Sequence, residues 1–110
     1  MTKADIISEV TQKTGLDKAE VSSTVEAFLA IVKSSMAEGN DIFIRGFGSF
    51  INKKKARKTA RNISKNTAII IDEHFIPSFK PAKVFVEQIK TSEKVKVANL
   101  NYKGEEEEVD

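Results

Sequence analysis

The chain has 110 residues, no cysteine, one histidine and a net charge of +2 from 18 basic and 16 acidic side chains. That length gives one domain, since single cores run about 100 to 150 residues, and the lack of thiols excludes a disulfide framework or a thiolate metal site. The small net charge hides a segregation: residues 1–44 carry 4 basic and 7 acidic side chains, 45–90 carry 11 and 3, and 91–110 carry 3 and 6, giving nets of −3, +8 and −3. One sign gathered on the middle of a chain is the footprint of a polyanion binder.

Thr2-Lys3-Ala4-Asp5 places a capping hydroxyl three residues before a carboxylate, and Ile6, Ile7, Val10 and Thr14 follow at helical spacing up to Gly15. Asp17-Lys18-Ala19-Glu20 repeats the start signal, and Val21, Val25, Phe28, Leu29, Val32 and Met36 keep steps of three and four until Gly39. This predicts a helical hairpin whose second helix has about 20 residues, roughly 30 Å. Asp41 to Arg45 reads as a short strand, and Gly46 to Gly48 as a tight reversal into a second strand from Phe50.

That second strand runs into seven basic residues, Lys53, Lys54, Lys55, Arg57, Lys58, Arg61 and Lys65. Read as a strand, it puts Lys53, Lys55, Arg57, Thr59 and Arg61 on one side and Lys54, Ala56, Lys58, Ala60 and Asn62 on the other. Neither side can bury itself in protein. The run turns at Ile63-Ser64-Lys65-Asn66, with Asn66 where a turn needs tolerance of positive φ, and returns through Thr67 to Phe79. The result is a projecting basic hairpin over about residues 51–76, its outer dozen residues reaching roughly 40 Å. Pro77 marks an edge strand or bulge. Pro81 fits the first position of a third helix carrying Val84, Phe85 and Ile89. From residue 91 the pattern fails, and with Glu105 to Glu108 the end reads as a flexible acidic tail, 91–110.

The fold class is α+β: an N-terminal helical hairpin, a three-stranded antiparallel sheet with a long β-ribbon arm, and a short C-terminal helix. The 75 or so residues outside arm and tail make a marginal core. Phe43, Phe47, Phe50, Phe79 and Phe85 bring more apolar area to the base of the hairpin than two short helices enclose. A dimer sharing one sheet and one aromatic core settles both points, and these five rings are read as core and dimer interface, not as base-stacking groups. His74 has no second imidazole or cysteine to share a metal and reads as an exposed strand residue, so neither metal nor cofactor is expected. No nucleophile stands with a base at motif spacing, and Gly46-x-Gly48 alone is a hairpin turn, so no enzymatic chemistry is read. No signal-type apolar core and no apolar run near the roughly 20 residues of a membrane span are present, which gives the expectation of a soluble, cytoplasmic protein without a membrane partner.

The stretches Gly46-Phe47-Gly48-Ser49-Phe50, Ala56-Arg57-Lys58-Thr59-Ala60-Arg61-Asn62 and Ile76-Pro77-Ser78-Phe79, with Lys83, resemble the HU/IHF family of bacterial nucleoid-associated proteins over Met1 to about Lys90. The resemblance implies an intertwined homodimer, or a heterodimer with a paralogue. Its two arms would wrap double-stranded DNA through the minor groove and kink it with an apolar wedge, favouring nicked, bent or flexible duplex and compacting the nucleoid. By position, Lys53, Lys55, Lys58, Arg61 and Asn62 match the family's arm contacts. Lys3, Lys80 and Lys83 match body residues on flanking phosphates, and Gly46 matches a close backbone approach. Lys54, Arg57 and Lys65 join the DNA-binding set through the arm's charge. Ile63 stands where the family has its wedge proline, Ala60 and Asn66 where it favours glycines, and Ile70 where a basic residue is frequent. The contrasting class is an RNA-binding or protein-assembly module using the same arm; it should rank ligands by charge density, whereas an architectural protein prefers prebent duplex.

Overall fold

The computed structural model describes residues 1–100; the run Glu105 to Glu108 lies outside them. Helix α1 (Lys3–Thr14) opens with a reciprocal cap, the Asp5 amide donating to the Thr2 hydroxyl at 3.3 Å and the Thr2 amide donating to the Asp5 carboxylate at 2.8 Å. The bonds from the Thr2 amide and then its hydroxyl hold the Asp5 carboxyl below its usual range. Gly15, at φ 71°, ends the helix in the left-handed region. Helix α2 (Lys18–Ala37) starts at Asp17 as expected, but that carboxylate makes no capping bond. Lys3 and Glu26 pair across the two helices, and Ile7, Val21 and Met36 are the buried apolar side chains among the described residues.

Five strands follow: β1 (Ile42–Ile44), β2 (Gly48–Lys55), β3 (Lys58–Asn62), β4 (Thr67–Ile71) and β5 (His74–Pro81). An antiparallel sheet runs in the order β1-β2-β5, and β3-β4 form a separate two-stranded ribbon. β5 is an edge, which accommodates Pro77. Directly paired residues share a face. Ile42, Phe50 and Phe79 therefore lie on one side and Phe43, Ser49 and Lys80 on the other. The first side meets α2, where Asn52 Nδ2 donates to the Met36 carbonyl at 3.1 Å while the Asn52 amide donates to Asp41 Oδ1 at 3.0 Å.

Four phenylalanines gather on that inner side: ring centroids of Phe47 and Phe79 are 5.2 Å apart, Phe47 and Phe85 5.4 Å, and Phe50 and Phe79 5.1 Å. Phe43 does not join them and is 76% exposed. Its expected place in the core is corrected by strand alternation, because Ile42 and Ile44 take the inward positions on either side of it.

Pro81 is also displaced from its expected role. It pairs with Gly48 as the last residue of β5, and the Ala82 amide donates to the Phe47 carbonyl at 2.9 Å. Sheet bonding thus continues until α3 (Lys83–Lys90) begins after Ala82. A further helix, α4 (Glu93–Ala98), occupies the start of the expected tail, capped by the Ser92 hydroxyl, which accepts from the Val95 amide at 3.3 Å. The radius of gyration, 18.8 Å, exceeds the roughly 13 Å of a compact 100-residue domain, because the ribbon projects from the body.

Candidate nucleic-acid interface

The arm consists of two ladders in line. β2 and β5 stay in register from Gly48↔Pro81 out to Lys55↔His74, and pairing resumes at Lys58↔Ile71 and runs to Asn62↔Thr67. Ala56-Arg57 and Asp72-Glu73 lie between the ladders. At the tip, Asn66 takes the expected positive φ, 50°. The Asn62 side-chain oxygen accepts from the Ser64 hydroxyl at 2.8 Å and the Ser64 and Lys65 amides at 3.2 and 3.4 Å, so Asn62 builds the turn. Arg61 Nη2 donates to Asn66 Oδ1 at 3.1 Å. Ile63, held on this turn, is 91% exposed.

The ladder breaks without a change of register: Lys55↔His74 is followed by Lys58↔Ile71, with two residues on each strand between them. Lys55, Ala56, Lys58, His74 and Ile76 line one hollow beside the break.

Carboxylates interrupt the basic surface at the same place. Lys54 pairs with Glu73 at 3.2 Å, and Arg57 Nε lies 3.9 Å from Asp72. Lys3 is engaged with Glu26. Lys53, Lys55, Lys58, Arg61, Lys65, Lys80 and Lys83 form no ion pair among the described residues.

On the body, Lys80 lies on the outer side beside Ser49, and Lys83 is the first residue of α3. Together with Phe43, Arg45 and Gly46 they line a hollow of about 560 Å³. Gly46 has φ 80°, and a side chain there would meet nothing within 4 Å, so backbone and solvent face each other directly. Arg45 is a cation that the sequence reading passed over. Its signal was available: it flanks the Gly46 turn and follows Phe43 at strand spacing.

Residues 1–90 match the family described as bacterial DNA-binding protein. The chain belongs to this HU/IHF family. It is 36% identical over 90 residues to DNA-binding protein HU of Thermus thermophilus, covering 82% of this chain and 93% of that one. It is also 36% identical over 95 residues to integration host factor subunit beta of Marinobacter nauticus, covering 86% and 97%. The fold is that of HU in an Anabaena HU–DNA cocrystal structure, with TM-score 0.79, 24% identity and coverage of 84% and 100%. HU from Thermotoga maritima superposes with TM-score 0.57 at 26% identity, covering 81% and 98%. The HU/IHF family is one of non-enzymatic DNA-binding proteins. The family match ends at residue 90, before α4 begins. No helix among the described residues is long and apolar enough to cross a membrane.

Proposed function

We propose that the protein is an architectural DNA-binding dimer whose two arms wrap and bend duplex DNA through the minor groove, largely independent of sequence, and so compact the nucleoid. The observation that carries this reading is the ribbon itself, a projecting element with unpaired cations along it and an exposed isoleucine fixed at its tip. Lys53, Lys55, Lys58, Arg61 and Lys65 hold phosphates along the arm. Lys54 and Arg57 do so by exchanging their carboxylates for phosphates, while Lys3, Arg45, Gly46, Lys80 and Lys83 hold the flanking duplex on the body. Ile63 is the wedge between base steps.

Dimerisation covers surface that one copy leaves in water. Ile6, Phe28, Leu29, Phe47, Phe79 and Ile89 are each more than a third exposed, and Ile6, Val25, Phe28, Leu29 and Phe47 line a hollow of about 640 Å³. Full burial of one such side chain contributes roughly 1.5–3 kcal/mol. The relatives include subunits named alpha and beta, so the partner is a second copy or a paralogue.

The test titrates linear duplex, nicked duplex and double-stranded RNA of equal length against the protein, Ile63→Ala and Arg61→Ala at two salt concentrations. Nicked duplex should bind tightest, because part of a bending cost of order 1–6 kcal/mol is already met there. That preference should fade in Ile63→Ala, and Arg61→Ala should weaken all DNA binding. Equal binding to all three ligands, indifferent to Ile63, would leave only a polyanion binder.

A further inference from the structure

His74 stands at the inner edge of the break in the ribbon, directly across from Lys55, on the same side as Lys53, and shares a hollow with Lys58. Its Nδ1 lies 3.0 Å from the Asp72 carbonyl oxygen. A carbonyl oxygen only accepts, so Nδ1 carries the hydrogen, and Nε2 of the neutral ring holds a lone pair. That nitrogen repels an anionic oxygen until the ring gains a second proton and Nε2 becomes a charged donor.

The ring lines a hollow of about 230 Å³ with Lys55, Lys58, Ala56 and Ile76. Two ammonium groups and no carboxylate are among these lining residues. The neighbouring acids are engaged elsewhere, Glu73 with Lys54 and Asp72 with Arg57, and Lys53 adds a further cation on the same side. With the ring neutral the hollow presents two positive charges. With it protonated there are three, and a third donor.

We propose that this hollow is a subsite for a DNA backbone phosphate that His74 completes only in its protonated form, so that each arm takes up a proton as it takes up duplex. This rests on the DNA-binding reading above and adds a pH response to it. The two lysines supply attraction at any pH near neutrality; the imidazole supplies a contact that switches from repulsive to attractive with one proton.

The experiment measures linear-duplex affinity of the full chain at pH 6 and pH 8, at matched ionic strengths, for the protein, His74→Ala and His74→Lys. The protein should bind about threefold to tenfold more tightly at pH 6, with a log–log salt slope steeper by about 0.9 per histidine engaged. His74→Ala should lose both differences, and His74→Lys should bind at pH 8 as the protein does at pH 6. Calorimetry in two buffers of different ionisation heat should show proton uptake with the protein and none with His74→Ala. An undiminished pH response in His74→Ala, or duplex binding without proton uptake by the protein, overturns the role of His74 and leaves the DNA reading standing. Failure of the protein to bind duplex at either pH overturns both.

Discussion

At the scale of single residues, Gly48 is the most constrained glycine among the described residues. A Cβ built there falls 2.6 Å from the Lys80 carbonyl oxygen and 2.7 Å from the Phe79 ring. Backbone and an aromatic core cannot both move aside. Gly48→Ala is therefore expected to cost about 1–3 kcal/mol, read as a lower thermal midpoint, by about 4–8 °C per kcal/mol for a domain of this size. Phe43→Ser, on the exposed side of the neighbouring strand, should leave the stability within about 0.5 kcal/mol of the parent. Position 43 also shows where sequence reading erred. The alternation Ile42-Phe43-Ile44 already pointed the ring outward, and its aromatic character was given more weight than its phase. Thr2, Asp5, Gly15 and Asn66 were legible because each answers a local backbone requirement: an orphan amide, or a positive φ. Gly48 was not. Its constraint comes from Phe79 and Lys80, distant in sequence and brought close by the register of β5.

At the scale of elements, the break between the two ladders couples electrostatics to geometry. Lys54–Glu73 and Arg57–Asp72 are exposed pairs, and such pairs contribute at most about 1 kcal/mol to stability. They nevertheless subtract two cations from the ribbon. The double variant Asp72→Asn with Glu73→Gln should melt as the parent does, yet bind linear duplex more tightly, with a salt slope steeper by up to about 0.9 for each released cation that finds a phosphate. Melting curves and salt titrations check the two halves separately. The ribbon's existence was legible from its charge and its turn, but the break was not. A strand with polar residues on both sides carries no phase information, so nothing in the period-two pattern revealed that two residues on each strand leave the ladder. Helix α4 was missed for a related reason. Val95 and Val97 alternate as in a strand, and the decisive signal was the Ser92 hydroxyl reaching the Val95 amide.

At the scale of the whole molecule, the imbalance between a small buried core and a large apolar surface decides how stability is reached. Three apolar side chains are buried among the described residues, while Phe28, Leu29, Phe47 and Ile89 stay partly in water. Under the proposed dimer, the thermal midpoint should rise with protein concentration, because association binds the folded state alone. Leu29→Glu should abolish that dependence and sediment as a monomer, since it places a charge on the face to be covered. A concentration-independent midpoint with monomeric sedimentation of the parent protein would refute the dimer. The excess of apolar surface over core was legible in the sequence as a surplus of phenylalanines. Where that surface gathers was not, because helices α1 and α2 place Ile6, Phe28 and Leu29 together only once they are packed.

The interrupted ribbon also bears on how such an arm can change over generations. Its outer ladder is attached to the inner one through 56–57 and 72–73, so insertions there or within β3 and β4 leave the sheet of the body untouched. Two residues added to each strand extend the arm by about 7 Å and keep every side chain on its side, whereas one residue added to each reverses the outer half. Length and handedness of facing are thus separately heritable, and the tip turn travels with whichever segment carries it.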